Sequence, residues 1–105
     1  MTARPKAAQD CATMEEVRAG IDVVDAELVR LLVRRVGYID LAATLKAPLN
    51  LPARIDWRVE EVVAKVRQTA LEHGLDPALA ETLWRPLIDW SIALEEERLS
   101  ADPAP

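Results

Sequence analysis

Apolar residues recur along the chain at the three- and four-residue spacing of helices, and the first such pattern is the longest. It comprises Val17, Ile21, Val24, Leu28, Leu31 and Leu32, and resumes at Tyr38, Ile39, Ala42 and Leu45. This spacing places the side chains on one side of a helix and predicts a buried seam. Thr13 and Glu16 match a capping box at its start. Pro48 biases Ala47 away from helical geometry, so we predict one helix from Thr13 to Lys46.

Two shorter helical patterns follow a loop at 47–53. The second helix is predicted from about Arg54 to His73, with Gly74 as its stop. Five β-branched residues in its stripe also suit a strand, but their spacing and the length of the pattern favour a helix. Its stripe is Ile55, Val59, Val62, Val63, Val66 and Ala70.

The third helix is predicted to open with Asp76 as cap and Pro77 in the first turn, and to run to Leu99. The residues expected on or beside its inner face are Leu79, Leu83, Trp84, Leu87, Ile88, Ser91, Ile92 and Glu95. We therefore predict a flexible lead at 1–12, one all-α domain at 13–99 and a disordered tail at 100–105.

The first helix is too long for a compact monomer of 105 residues. At about 1.5 Å per residue it spans about 50 Å, whereas a compact chain of this size has a radius of gyration of about 13 Å. An apolar stripe of that length needs cover from another chain. We therefore expect three-helix subunits that form an intertwined, domain-swapped homodimer.

Composition restricts the possible partners. The net charge of −5, from 18 acidic and 13 basic residues, argues against nucleic acid, whose binding requires neutralisation of phosphates. One cysteine and one histidine argue against a disulfide within the chain and against a metal site. The N-terminus has no apolar signal core, and no apolar run approaches about 18 residues. We expect a cytoplasmic protein that does not span a membrane.

Arg35 interrupts the apolar seam, and burying an arginine there is costly unless an anion pairs with it. A structural ion pair with Asp25, Asp40 or an acid of a second chain explains it as well as a bound anion does. Lys46, eleven residues later, points the same way. Arg18 lies about 25 Å before Arg35 and off that face, so it can join the same small site only from another subunit.

Arg58 on the second helix and Glu95 on the third favour a bound anion over a structural ion pair as the explanation for Arg35. Several cations and one hydrogen-bonding group, converging from three helices, suit a small dicarboxylate, because arginine binds carboxylates in a bidentate way. The sequence has no Ser-His-Asp set, no Cys-His pair and no glycine-rich phosphate loop. An enzyme built on these residues would act by positioning and electrostatics. The alternative is a non-catalytic helical dimer that binds a partner helix.

The chain resembles the all-helical chorismate mutases, in particular the branch that includes isochorismate-pyruvate lyases. The resemblance covers about Asp10 to Arg98. It is carried by Asp10-Cys11, Val17-Arg18, Ile21-Asp22, Asp25, Leu32, Arg35, Tyr38-Ile39, Ala42-Ala43, Lys46, Arg58, Gly74-Leu75-Asp76, Ile92 and Glu95. The spacing from Arg18 through Arg35 to Lys46 is its most specific part.

The resemblance implies a domain-swapped dimer with two sites and no cofactor. Each site would take Arg18 from one subunit and Arg35, Lys46, Arg58 and Glu95 from the other. Arg18 and Arg35 would hold the two substrate carboxylates, while Lys46 and Glu95 would donate hydrogen bonds to the ether oxygen. Ile39, Val59, Ser91 and Ile92 would contribute to substrate binding.

Two reactions fit the resemblance: rearrangement of chorismate to prephenate, and release of pyruvate from isochorismate to leave salicylate. Mutases of the family often carry an acid directly after the second-helix arginine, but here Val59 follows Arg58, which favours the lyase. Asp56 or Glu60 would supply the acid if the register after the loop differs by a residue. Glu95 has precedent among the mutases, and the lyase branch retains mutase activity, so we favour the mutase.

Glu95 stands where many relatives have glutamine, and only a protonated carboxyl can donate to an ether oxygen. Burial favours the neutral form, while Lys46 and Arg35 favour the charged form. We expect activity to need protonated Glu95 and to fall as the pH rises. A profile of kcat/KM that is flat from acid to mildly alkaline pH, and the same in Glu95→Gln, would refute this role.

Overall fold

The computed structural model describes residues 6–100, and within this range all regular structure is helical. The helices are α1 (Met14–Lys46), α2 (Asp56–Glu72) and α3 (Pro77–Ser100). Short 3₁₀ turns lie at Ala8–Asp10 and at Ala47–Leu49. The predicted all-α class with a very long first helix is confirmed.

The capping box at the start of α1 is present. The Glu16 N–H donates to Thr13 Oγ1 at 3.2 Å, and Glu16 Oε1 accepts from the Ala12 N–H at 3.3 Å. The Lys6 ammonium lies 2.5 Å from the other Glu16 oxygen, and its hydrogen bond lowers the pKa of that carboxyl. These contacts fix the entry into the helix, as the sequence predicted.

Three boundaries that the sequence predicted approximately are shifted by one or two residues in the structure. The second helix begins at Asp56, because Ile55 is still extended (φ −124°), and it ends at Glu72. Ser100 belongs to α3 and not to a tail. In the predicted flexible lead, 8–10 form a 3₁₀ turn. The remainder of the predicted lead and tail, 1–5 and 101–105, lies outside the described residues.

The chain divides into two compact parts, 6–36 and 37–100 of the described residues, and α1 contributes to both. In the second part, α2 packs on α3 around a core of Ala53, Val59, Val63, Ile88 and Ile92. Val62, Trp84 and Leu99 pack against this core. The predicted stripe of α2 therefore faces α3.

Two of the residues predicted on or beside the inner face of α3 are exposed in the single chain. Leu79 and Leu83 are exposed, whereas Ala80 is buried with Ile88 and Ile92. Successive helical residues differ by about 100° around the axis, so the true inner face is displaced by one position in this first half of α3. Apolar residues occur on both sides of the helix, and the pattern alone favoured the wrong side.

In the first part, the apolar seam of α1 is open to solvent. Here the seam means Val17, Ile21, Val24, Leu28, Leu31 and Leu32, whose exposed fractions range from 37% to 53%. Single exposed leucines are ordinary, but a continuous apolar stripe along a helix usually marks an interface. The single chain therefore leaves uncovered the face that its sequence marks for burial.

Arg85 on α3 links its own helix to α2 through two carboxylates. Its guanidinium lies 2.9 and 3.1 Å from the two oxygens of Glu60, and 2.6 Å from Glu81. Arg67 of α2 also reaches Glu81, at 2.8 Å. The hydrogen bonds of Arg85 lower the pKa values of Glu60 and Glu81, and these acids raise the pKa of Arg85. One guanidinium binds both oxygens of Glu60 and also reaches Glu81, so this exposed network stabilises the fold more than an isolated surface ion pair does.

We expect Arg85→Gln to lower the melting temperature near neutral pH. We also expect the melting temperature of this variant to fall less than that of wild type when the pH is lowered. Both carboxyls have folded-state pKa values below their ordinary value of 4.5. The stabilisation is therefore complete above that value, and it is lost as the pH falls through the lowered pKa values. Thermal melts over a pH series, at one protein concentration, measure both effects.

The matched control is Lys65→Gln, which removes one positive charge from α2. The Lys65 ammonium is 4.0 Å from its acidic neighbour Glu61, so we expect little change in either quantity. Equal acid dependence in wild type and Arg85→Gln would contradict the role of the network.

Candidate active site

Lys46 and Glu95 meet where α1 ends and α3 passes. Lys46 is the last residue of α1, and its Nζ lies 2.7 Å from Glu95 Oε1. Glu95 is only 5% exposed, and the Lys46 side chain is 18% exposed. Removing one partner of a buried ion pair costs about 3–5 kcal/mol, because the other charge is left unpaired. The two groups are thus held together and out of bulk water.

Glu95 Oε1 has a close cation but no aligned hydrogen bond. The Lys46 ammonium is within ion-pair distance, yet among residues 6–100 no donor of suitable geometry reaches this buried oxygen. We interpret the contact as an ion pair, because opposite charges at 2.7 Å attract whatever the bond angle. Glu16 Oε2, beside the Lys6 ammonium, is likewise buried without an aligned donor, so this feature alone does not mark a ligand site.

The Lys46 ammonium donates to the Ala53 carbonyl oxygen at 3.0 Å. Ala53 belongs to the segment between α1 and α2 and is buried. An ammonium has three donors. One is directed at Ala53 and one lies against Glu95, which leaves one for an oxygen of a bound molecule.

Ser91 and Ile92 lie one turn before Glu95 and are buried with it. The Ser91 hydroxyl donates to the Leu87 carbonyl at 2.8 Å. The predicted i, i+4 arrangement of Ser91 and Glu95 on the inner face is therefore present. Ile92 is part of the α2–α3 core, so its contribution is to the apolar wall of this region.

The three other predicted site residues of this part lie in different surroundings. Val59 is buried in the core beside Val63, and Ile39 is half-buried on α1. Arg58 is 54% exposed, and its guanidinium lies 2.6 Å from Glu61, one turn along α2. A role for Arg58 in binding substrate stays a prediction, and its side chain would have to leave Glu61 to fill it.

The two acids considered as substitutes near Arg58 have other surroundings. Glu60 is engaged with Arg85, and Asp56 is exposed at the start of α2. Asp40, one of the acids considered for Arg35, lies 3.0 Å from Arg98 of α3. The Arg98 contact was not predicted, since 58 positions separate the two residues in the sequence.

Arg18 and Arg35 lie in the first part of the chain, both on α1. Arg18 is exposed and Arg35 is half-buried. A groove of about 770 Å³ in this part contains neither arginine among its lining residues, which include Lys6, Cys11, Ile21, Val24 and Glu27. Because Ile21 and Val24 belong to the apolar seam, we assign the groove to the uncovered face of α1 and not to the chemistry.

The geometry of Lys46 and Glu95 suits stabilisation of charge on an oxygen atom. A fixed ammonium beside a buried carboxyl can direct hydrogen bonds at one atom of a substrate without reorganising in the transition state. Within residues 6–100, His, Cys, Asp and Glu form no group of three that could hold a metal ion. No helix in the same range is long and apolar enough to cross a membrane.

Comparison with known proteins identifies the class. The family described as chorismate mutase type II matches residues 17–96. An isochorismate pyruvate lyase of Pseudomonas aeruginosa is 34% identical over 89 residues, which cover 84% of this chain and 86% of the relative. A 4-amino-4-deoxychorismate mutase of Streptomyces pristinaespiralis is 30% identical over 96% of this chain and 77% of its own length.

A chorismate mutase of Methanocaldococcus jannaschii is 24% identical over 82% of this chain and 87% of its own length. The chain belongs to the chorismate mutase type II family. The family and the enzyme predicted from the sequence are therefore both confirmed. The individual site residues and the dimer stay predictions.

Proposed function

We propose that this protein is a chorismate mutase that rearranges chorismate to prephenate. The observation that carries the proposal is the buried Lys46–Glu95 pair in a chain of the chorismate mutase type II family. Lys46 and Glu95 would donate hydrogen bonds to the ether oxygen. The proposal includes Arg18, Arg35 and Arg58 as ligands of the substrate, with Ile39, Val59, Ser91 and Ile92 beside it.

The proposed chemistry needs no covalent intermediate. In the pericyclic reaction the ether C–O bond breaks while a C–C bond forms, and negative charge grows on the ether oxygen. The Lys46 ammonium is already fixed by Ala53 and Glu95, so it needs little reorganisation to meet that charge. Arginines on the two carboxylates would hold the enolpyruvyl arm over the ring, which converts binding energy into orientation.

The role proposed for Glu95 requires the protonated carboxyl. Only a protonated carboxyl can donate a hydrogen bond to the ether oxygen. The expected loss of activity at alkaline pH, absent in Glu95→Gln, therefore stays the measurement that decides this role.

The proposal also includes a homodimer and a cytoplasmic location. The exposed apolar seam of α1 supports a second copy of the chain as its cover, because each copy offers the same stripe and a two-fold interface is self-complementary. Arg18 and Arg35 are both on α1 but too far apart along it to bind one small molecule. Two copies of α1 would allow Arg18 of one and Arg35 of the other to share a site.

The second candidate is the isochorismate-pyruvate lyase. It is favoured by Val59, which is buried and apolar directly after Arg58, where mutases of the family often carry an acid. It is also supported by the relative that is 34% identical. The same pocket would serve, and salicylate biosynthesis would replace aromatic amino acid biosynthesis as the context.

Product analysis separates the candidates. We expect the purified protein to convert chorismate to prephenate, with a higher kcat/KM than for release of pyruvate from isochorismate. 4-Amino-4-deoxychorismate belongs in the same assay, because a relative is named for it. Chromatography of the products with a Lys46→Ala control gives the answer. A higher kcat/KM for isochorismate would replace the mutase by the lyase, and no turnover of any compound would refute both.

Mixed dimers test the shared site. We expect Arg18→Ala and Arg35→Ala each to abolish turnover while the chain stays folded by circular dichroism. Refolded together, half of the dimers are mixed, and one of the two sites in each mixed dimer is intact. The mixture should then recover about 25% of the wild-type rate, because the two arginines of one site come from different subunits.

The control mixes Arg35→Ala with Lys46→Ala. These two residues would come from the same subunit, so each site of a mixed dimer lacks one of them and activity should stay absent. Recovery of turnover in this control would contradict the shared site. Absence of recovery in the mixture of Arg18→Ala with Arg35→Ala would contradict it as well. A monomer in light scattering would contradict the dimer itself.

A further inference from the structure

The segment that follows Lys46 ends its helix with a Schellman motif. Asn50 has left-handed backbone angles (φ 54°, ψ 33°). Its N–H donates to the Ala47 carbonyl, and the Leu51 N–H donates to the Lys46 carbonyl, both at 3.2 Å. These are the two hydrogen bonds of the motif, with Asn50 as the left-handed residue. Pro48 lies inside the 3₁₀ turn, so the stop is Asn50 and not the proline.

The motif returns the chain to the side chain of the same lysine. After Asn50, the chain passes Pro52 and places the buried Ala53 carbonyl 3.0 Å from Lys46 Nζ. Lys46 is thus held twice by this segment, through its backbone carbonyl and through its ammonium. On its other side the ammonium meets Glu95 at 2.7 Å. The ammonium therefore lies between the Ala53 carbonyl and the Glu95 carboxyl.

We propose that Asn50 is a positioning residue for Lys46, acting through the Ala53 carbonyl. The inference rests on the proposed function in that Lys46 contacts the substrate there. The loop at 47–53 is then a support for the ammonium. Its essential feature is a left-handed backbone at Asn50, which asparagine and glycine adopt more readily than alanine.

The chain provides a matched control in the same motif at the end of α2. Gly74 has φ +78°, the Leu75 N–H donates to the Ala70 carbonyl at 2.8 Å, and the Gly74 N–H donates to the Leu71 carbonyl at 3.4 Å. Gly74→Ala therefore puts alanine into the same left-handed position, but away from Lys46. If a strained helix end alone lowered activity, activity should fall both in Asn50→Ala and in Gly74→Ala.

The experiment compares Asn50→Ala, Asn50→Gly and Gly74→Ala with wild type, using chorismate and isochorismate. We expect kcat to fall about 10- to 100-fold in Asn50→Ala, since a displacement of about 1 Å can have that effect. KM should change less than kcat. Asn50→Gly should restore kcat, and Gly74→Ala should lower the melting temperature without lowering kcat. In a Lys46→Ala background, Asn50→Ala should have no further effect.

A second readout does not need turnover. The chain has three lysines, Lys6, Lys46 and Lys65, and the Lys65 side chain is well exposed. Acetylation is followed by mass spectrometry. In wild type and in Asn50→Gly, Lys46 should be acetylated more slowly than Lys65. In Asn50→Ala, Lys46 should be acetylated faster than it is in wild type. Lys65 is the internal standard.

The outcomes separate the two claims. If Lys46→Ala abolishes turnover but Asn50→Ala keeps kcat, the positioning role is refuted and the proposed function stands. If kcat falls as far in Asn50→Gly as in Asn50→Ala, the left-handed turn at Asn50 does not determine the position of Lys46. The same conclusion follows if kcat falls as far in Gly74→Ala as in either Asn50 variant. If wild type turns over neither compound, the proposed function fails, and the acetylation rates alone confirm or refute the positioning of Lys46.

Discussion

The ion pair between Lys46 and Glu95 is the contact on which the proposed chemistry depends. It joins the end of α1 to the last third of α3, and it holds two charged groups where water has little access. Such a pair is costly to bury, so its surroundings must satisfy it. The Ala53 carbonyl meets part of this need. The third donor of Lys46 is the group from which a substrate oxygen would accept a hydrogen bond.

A second constraint is the apolar seam of α1. Its residues are those that a folded chain normally buries, yet a third to a half of each side chain is exposed here. The packing of α2 on α3 gives one part of the chain its own core, while the seam has none within residues 6–36. Association with a second copy would bury the seam and, in the same step, bring together cations that one helix holds far apart.

Most helix boundaries followed from local chemistry. These signals act through hydrogen bonds or backbone angles within a few residues, so they can be recognised in the sequence. They are the Thr13–Glu16 capping box, the left-handed Gly74 and the Asp76-Pro77 helix start. Asn50 carried a signal of the same kind, with Pro52 two residues later, but the nearer Pro48 obscured it. The inner face of α3 could not be predicted in this way, because Leu79 and Leu83 are as apolar as the residues that are buried.

The sequence by itself determined three helices, their approximate ends, the long apolar seam and the family, since these depend on spacing and on residues close together along the chain. Only the tertiary structure decided that Lys46 lies between Ala53 and Glu95, that Arg98 meets Asp40, and that Arg85 joins Glu60 to Glu81. The physical reason is that these contacts follow from the packing of helices and from a turn that reverses the chain. Side-chain chemistry permits many such partners, and the geometry of the folded chain selects among them.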